Sequence, residues 1–163
     1  LVVLRGDQAL TIAQADAPNM GAVSDWSGKL APSNATASGK VLLAALPERD
    51  IARMARRGLR RHTDRTIVDI EPLLEELSRV RRRGFATAVG ELEDGLNAVA
   101  APVHDRRGAV MAAVAIQGPA IRITARRLPE LASQARSTAT AIEGRLGVPA
   151  VHKSAGGAAV NDS

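Results

Sequence analysis

The sequence predicts an α+β domain carried on an antiparallel sheet. Runs of β-branched and alternating residues fall into two groups, one at the start of the chain and one past its middle, with short Gly- and Asp-containing turns inside each group. Helical patterns lie between the groups and after the second. About five or six strands with helices segregated in this way argue against a parallel βαβ arrangement. The length of 163 residues suits one core, and a hydrophobic fraction of 45% is enough to fill it. Aromatics are only 1%, so Ala, Val, Leu and Ile must make that core and the layers must pack closely.

The elements follow in order. LVVLRGDQALTIAQA opens the chain as a hairpin, with Gly6-Asp7 at the tight turn. A further extended stretch is expected over Met20 to Leu30. Val41, Leu42, Ala45 and Leu46 then recur at helical spacing. Pro47 cannot continue that helix but can open the next, Glu48 to Arg57, which Gly58 ends. Leu59 to Asp69 reads as a loop. Glu71 to Arg83 is a third helix, apolar along Leu73, Leu74, Leu77 and Val80, with Glu71, Glu75 and Glu76 near its start and Arg81 to Arg83 at its end, as the helix dipole favours. Phe85 to Glu91 reads as a strand. Leu96 to His104 and Ala109 to Gln117 form a second hairpin through Asp105-Arg106-Arg107-Gly108, and Gly118-Pro119 is expected to break it. Thr124 to Leu146 is a long helix, irregular around Pro129. Val148 to Ser163 is rich in Ala, Gly and Ser and is expected to be a disordered tail.

Composition narrows the function. With no Cys, disulfides and thiolate metal sites are excluded. No run of eighteen apolar residues occurs and no signal peptide opens the chain, so a cytoplasmic protein without membrane contact is expected. The chain starts on Leu1 inside a strand run, which suggests a piece of a longer protein. The formal charge is +5, and ten Arg stand against five Asp or Glu from Arg53 to Arg83. That run reads either as a nucleic-acid patch or as the solvated face of helices.

The stretch NATASGKVLLAALP, from Asn34 to Pro47, invites three chemical readings. As a phosphate loop it fails, because Asn34 stands where the first Gly is needed and Val41 where the hydroxyl is needed. As a nucleophile, Ser38 lies in neither G-x-S-x-G nor S-x-x-K, and nothing in the sequence pairs it with His62, His104 or His152. As a helix start it is sound. Asn34 or Thr36 can cap, and Ala37, Ser38 and Gly39 leave the first turn open to a carboxylate or phosphate. The residues alone leave this reading level with an ordinary capped helix. The three His lack the i,i+4 spacing of a zinc pair. Glu91-Leu92-Glu93-Asp94-Gly95 reads as a solvated turn, or with Glu91 facing inward as an acid/base or cation site.

In their order and spacing, several stretches resemble the C-terminal effector-binding domain of the IclR family of bacterial transcription regulators. They are ATASGKVLLAALPE (Ala35 to Glu48), the T-x-x-T loop of Thr63 to Thr66, LLEELSRVRRRGFA (Leu73 to Ala86), ELEDGLNAVAAPVHDRRGAVMAAVAIQGP (Glu91 to Pro119) and GRLG (Gly144 to Gly147). The resemblance implies a GAF-like, profilin-like domain over residues 1–147: a curved antiparallel sheet of about six strands flanked by helices. It implies a regulator that senses a small organic acid, needs no cofactor or metal and performs no catalysis. It further implies a winged helix-turn-helix that reads DNA, absent from this sequence, and self-association as dimers or tetramers.

The resemblance also implies a pocket. Backbone amides near Ala37, Ser38 and Gly39 would receive the effector carboxylate. Leu96, Ala98 and Ala100, which alternate along one strand, would form a wall with Ala115 and Gln117 on the next strand and Ala88 nearby, and Leu30 would close one side. Members that bind small oxo-acids place an acidic residue near Ala88, a Cys near Ala98 and Ser at the positions of Ala115 and Gln117. Here three of those four are Ala. The implied effector is therefore a larger or more apolar acid, with Gln117 as its main polar side-chain contact. The alternatives are a purely oligomerising module, a small hydrolase using Ser38 or Glu91, and a direct nucleic-acid binder through Arg53 to Arg83.

Overall fold

A computed structural model describes residues 1–16 and 25–148. Six strands form one antiparallel sheet: β1 (Val2–Arg5), β2 (Gln8–Thr11), β3 (Leu30–Pro32), β4 (Ala86–Val89), β5 (Leu96–His104) and β6 (Val110–Pro119), in the spatial order β3-β2-β1-β6-β5-β4. Four helices accompany it: α1 (Ala37–Ala44), α2 (Glu48–Ala55), α3 (Ile70–Arg83) and α4 (Leu128–Arg145). The sheet is curled, and the architecture is the expected α+β domain.

Each predicted hairpin forms, because the turn residues permit only that chain reversal. Gly6 takes φ 64° between β1 and β2, and Gly108 takes φ 79° between β5 and β6, where a side chain would be strained. The two hairpin groups meet where β1 joins β6, paired at Val2 with Ala113.

Three elements differ from expectation. The extended stretch expected from Met20 is short: β3 begins only at Leu30, Trp26 to Lys29 form a turn, and residues 17–24 lie outside the described residues. Gly118-Pro119 does not break β6. Both still pair, with Asn97 and Leu96, and a Pro at the last position of a strand forfeits little of the ladder. Of the expected tail, all but Val148 lies outside the described residues.

Helix α1 is the centre of the molecule. All eight of its residues are buried. One side lies on the inner face of the sheet and the other against α3, so it has no solvent stripe. Small residues allow this. Across the inner face of the sheet run two cross-strand rows, Ala86–Ala100–Ala115 and Ala88–Ala98–Gln117, which let the helix approach closely. At Gly39 an added Cβ would collide with the Ser33 backbone, so glycine is required there for packing. On the outer face α4 covers Val99, Ala101 and Val103 of β5. Pro129 sits in its first turn, after a 3-10 turn over Ala125–Arg127.

Candidate functional site

The first turn of α1 points into a small cavity on the inner face of the sheet. Thr36 is the N-cap: its Oγ1 accepts the Gly39 N–H at 3.1 Å and donates to the Pro32 carbonyl at 2.9 Å. The Lys40 N–H bonds the Thr36 carbonyl. That leaves the amides of Ala37 and Ser38 without partners among the described residues, as the first turn of a helix must unless something else meets them. Ser38 also makes no side-chain hydrogen bond there.

The cavity has a volume of about 20 Å³, room for about one water. Ala35, Thr36, Ala37 and Ser38 line it from the helix side, Ala88, Ala98, Ala115 and Gln117 from the sheet, and Leu92 and Leu96 from the β4–β5 connection and the start of β5. Thr36, Ser38, Leu92, Ala115 and Gln117 also border a cleft of about 890 Å³. The cleft opens where β1 and β6 part beyond the Val2–Ala113 pair. The small cavity and the cleft thus share one wall.

Of the ten residues implied as ligand contacts, Ala37, Ser38, Ala88, Leu96, Ala98, Ala115 and Gln117 come together around this cavity. Three do not. Ala100 shares a strand face with Ala98, but two residues further along that face lies under the body of α1, and Ala100 is fully buried in the core with Val41 and Leu42. Gly39 faces Ser33 rather than the cavity. Leu30, 44% exposed on edge strand β3, lines neither the cavity nor the cleft.

The structure also assigns work to residues whose roles the sequence did not disclose. Lys40 is 1% exposed, and its ammonium donates to both carboxylate oxygens of Glu91 at 2.8 Å. Glu91 therefore faces inward. It is held there by the T-x-x-T loop: Thr66 Oγ1 donates to the Glu91 carbonyl at 2.6 Å, and Thr63 Oγ1 to the Gly90 carbonyl at 2.7 Å. Thr66 Oγ1 in turn accepts the His62 and Thr63 N–H groups. Asn34 is no cap; its Nδ2 donates to the carbonyls of Arg60 and Ile67, pinning the other end of the loop. A Lys after Ser-Gly and a Thr pair do signal that something is fixed here, but their partners are far away in the chain.

Burial raises the Glu91 carboxyl above its ordinary value, against the downward pull of Lys40. Because the pair satisfies itself, it offers no free charge to the cavity. Around the cavity, the polar groups left for a ligand are the two α1 amides, the Ser38 hydroxyl and Gln117. That set can hold an anion at the helix end and a polar group at the mouth, with apolar walls between. Ser38 has no hydrogen-bonded base among the described residues, and His104 is engaged by Glu143 at 2.7 Å. Among the described residues no three His, Cys, Asp or Glu side chains gather to hold a metal.

Residues 1–144 match the family described as bacterial transcriptional regulator IclR C-terminal, and the chain belongs to that family. The HTH-type transcriptional repressor AllR of Salmonella typhi is 34% identical over 149 residues, which are 91% of this chain and 55% of that protein. This chain thus spans about half the length of the curated relatives it matches. Among solved structures, a transcriptional regulator of Rhodococcus sp. RHA1 aligns with TM-score 0.83 and 33% identity over 90% of this chain and 60% of that one. A double mutant of the PobR inducer-binding domain from Acinetobacter, in complex with 3-hydroxybenzoic acid, aligns with TM-score 0.79 and 31% identity over 86% of this chain and 84% of that one.

Proposed function

We propose that residues 1–147 are the sensor of a cytoplasmic DNA-binding regulator, and that they bind a small organic acid without catalysing any reaction on it. The observation that carries this reading is the pair of partnerless amides at the start of α1, facing an alanine-lined cavity. The acid's carboxylate would meet those amides and its body would extend into the cleft. Since most polar positions of the wall are alanine, a small hydrophilic acid would leave its own hydrogen bonds unmade, and an aromatic or otherwise apolar acid fits better. The complex of the PobR domain with 3-hydroxybenzoic acid supports that class. Control of DNA would be a population shift: the acid favours one arrangement of helices and subunit contacts, and so biases a DNA-reading domain outside these residues. Self-association as a dimer or tetramer would transmit it.

The test is a thermal-shift screen of carboxylic acids, followed by titration calorimetry on the hits. An acid that binds only the folded state raises the melting point with dose. Gln117 is exposed at the mouth, so Gln117→Ala should weaken that acid by about 0.5–1.5 kcal/mol, less than the roughly 1–3 kcal/mol expected had its hydrogen bond been buried. Glyoxylate or pyruvate binding as tightly as an aromatic acid would contradict the proposed class. The small inner volume favours a second reading, an oligomerising module with no effector. A flat screen with folded protein would favour that one.

A further inference from the structure

Helix α2 and the loop after it carry the charge of the molecule. From Arg49 to Arg65 there are seven Arg and two Asp, a net charge of +5, which equals that of the whole chain; the other residues balance to zero. All seven Arg are exposed. Arg49, Arg53 and Arg56 fall at helical spacing opposite the buried Ile51, so they share the outer face of α2 and its cap, rising about 10 Å from first to last.

The Arg-rich run read from the sequence as Arg53 to Arg83 divides in the structure. Its distal half is occupied. Arg79 and Arg83 bond Glu76, Arg81 bonds the Ala44 carbonyl, and Arg82 bonds Ser78. From Arg49 to Arg65 only Arg53 is paired, with Asp50; Arg49, Arg56, Arg57, Arg60, Arg61 and Arg65 make no ion pair and no side-chain hydrogen bond among the described residues. A merely solvated helical face would look like α3, where each guanidinium of the last turns finds a carboxylate, a carbonyl or a hydroxyl within the fold. Here the cations stay free while their backbone is fixed: Asn34 holds the Arg60 carbonyl, and Thr63 and Thr66 tie the loop to Gly90 and Glu91. The result is a rigid mount for six unpartnered guanidiniums.

We infer that this surface binds the sugar–phosphate backbone of duplex DNA, without reading sequence. Guanidinium groups suit phosphate in geometry and charge. Residues 49–65 include no Phe, Tyr or Trp, and His62 is the one ring there on which an unpaired base could stack, which disfavours single strands. None of the exposed large apolar residues, Ile12, Leu30, Met111, Ile121 and Leu146, belongs to this stretch, so it has no anchor for a membrane or a protein hot spot. In a family of DNA-binding regulators, duplex is the polyanion at hand. The contact would add affinity without specificity, beside whatever domain reads the operator. It does not depend on the effector reading.

Fluorescence anisotropy of the 163-residue chain with a labelled duplex of arbitrary sequence tests it, across a salt series. Each phosphate neutralised contributes about −0.9 to the slope of log K against log salt, so full use of the six free Arg gives a slope of about −5.4. Arg57→Ala, Arg60→Ala and Arg61→Ala together should flatten the slope by about 3 and weaken binding. Arg107→Ala, Arg126→Ala and Arg145→Ala remove the same charge from exposed positions elsewhere and should leave it nearly unchanged. No saturable binding at low salt would overturn the inference, as would equal losses in the two triple variants. A single strand binding as tightly as duplex would point to RNA or unpaired DNA instead. Competition by polyglutamate as effective as that by DNA would point to an acidic protein.

Discussion

At the residue scale, the centre of interest is Lys40. An ammonium with 1% exposure survives in the core only because Glu91 meets it with both oxygens. Lys40→Met should therefore destabilise the domain by about 3–5 kcal/mol, since it strands a buried carboxylate. Lys40→Met with Glu91→Met should recover most of that loss, because a buried pair is often no better than apolar side chains of similar volume. Chemical denaturation measures both, and a double variant as unstable as the single one would refute the pairing as the cause. The sequence allowed Glu91 to face inward but did not disclose Lys40 as its partner, 51 residues away. Ser-Gly-Lys drew attention as a ligand motif, yet its Lys serves the interior and its Gly serves packing against Ser33. Of those three residues only Ser38 turns to the cavity, because the helix rotates successive residues by about 100° and periodicity alone does not say which neighbour lies on which side.

At the scale of elements, the reading went further. Both hairpins were legible from Gly6-Asp7 and Asp105 to Gly108, and α3 from its apolar face and Gly84, because turn and cap residues act locally. Helix α1 was legible in place but not in role. A helix covered on both sides has no stripe, and its eight buried residues follow from neighbours that no local pattern reveals. The loop from Leu59 to Asp69 was seen as a loop, but not as a clip. Thr66 alone accepts two amides and donates to the Glu91 carbonyl. Thr66→Val keeps the shape and removes all three bonds, so it should cost about 1–3 kcal/mol and loosen the β4–β5 connection. Hydrogen exchange should show faster exchange at His62 and Thr63; unchanged protection at both would refute the role of the clip.

At the scale of the whole molecule, the buried pair makes stability depend on pH. Burial raises Glu91 above its ordinary value, so the folded protein holds that proton more tightly than the unfolded chain does. The group's contribution is full in acid below the unfolded value. It declines as pH rises through the window between the unfolded and folded values. Compared with the Lys40→Met, Glu91→Met protein, the wild type should lose stability as pH rises through that window, which begins at the unfolded carboxylate value. Parallel stability curves from about pH 3.5 to 7 would refute this.

The alanine rows on the inner face of the sheet set a direction for change in the chain as a whole. Ala88, Ala98 and Ala115 are already near the lower limit of side-chain size. Short of glycine, every substitution there adds atoms and narrows the wall. Descendants of this domain can therefore acquire selectivity by accretion, one side chain at a time on an unchanged backbone, and this sequence stands near the permissive end of that series.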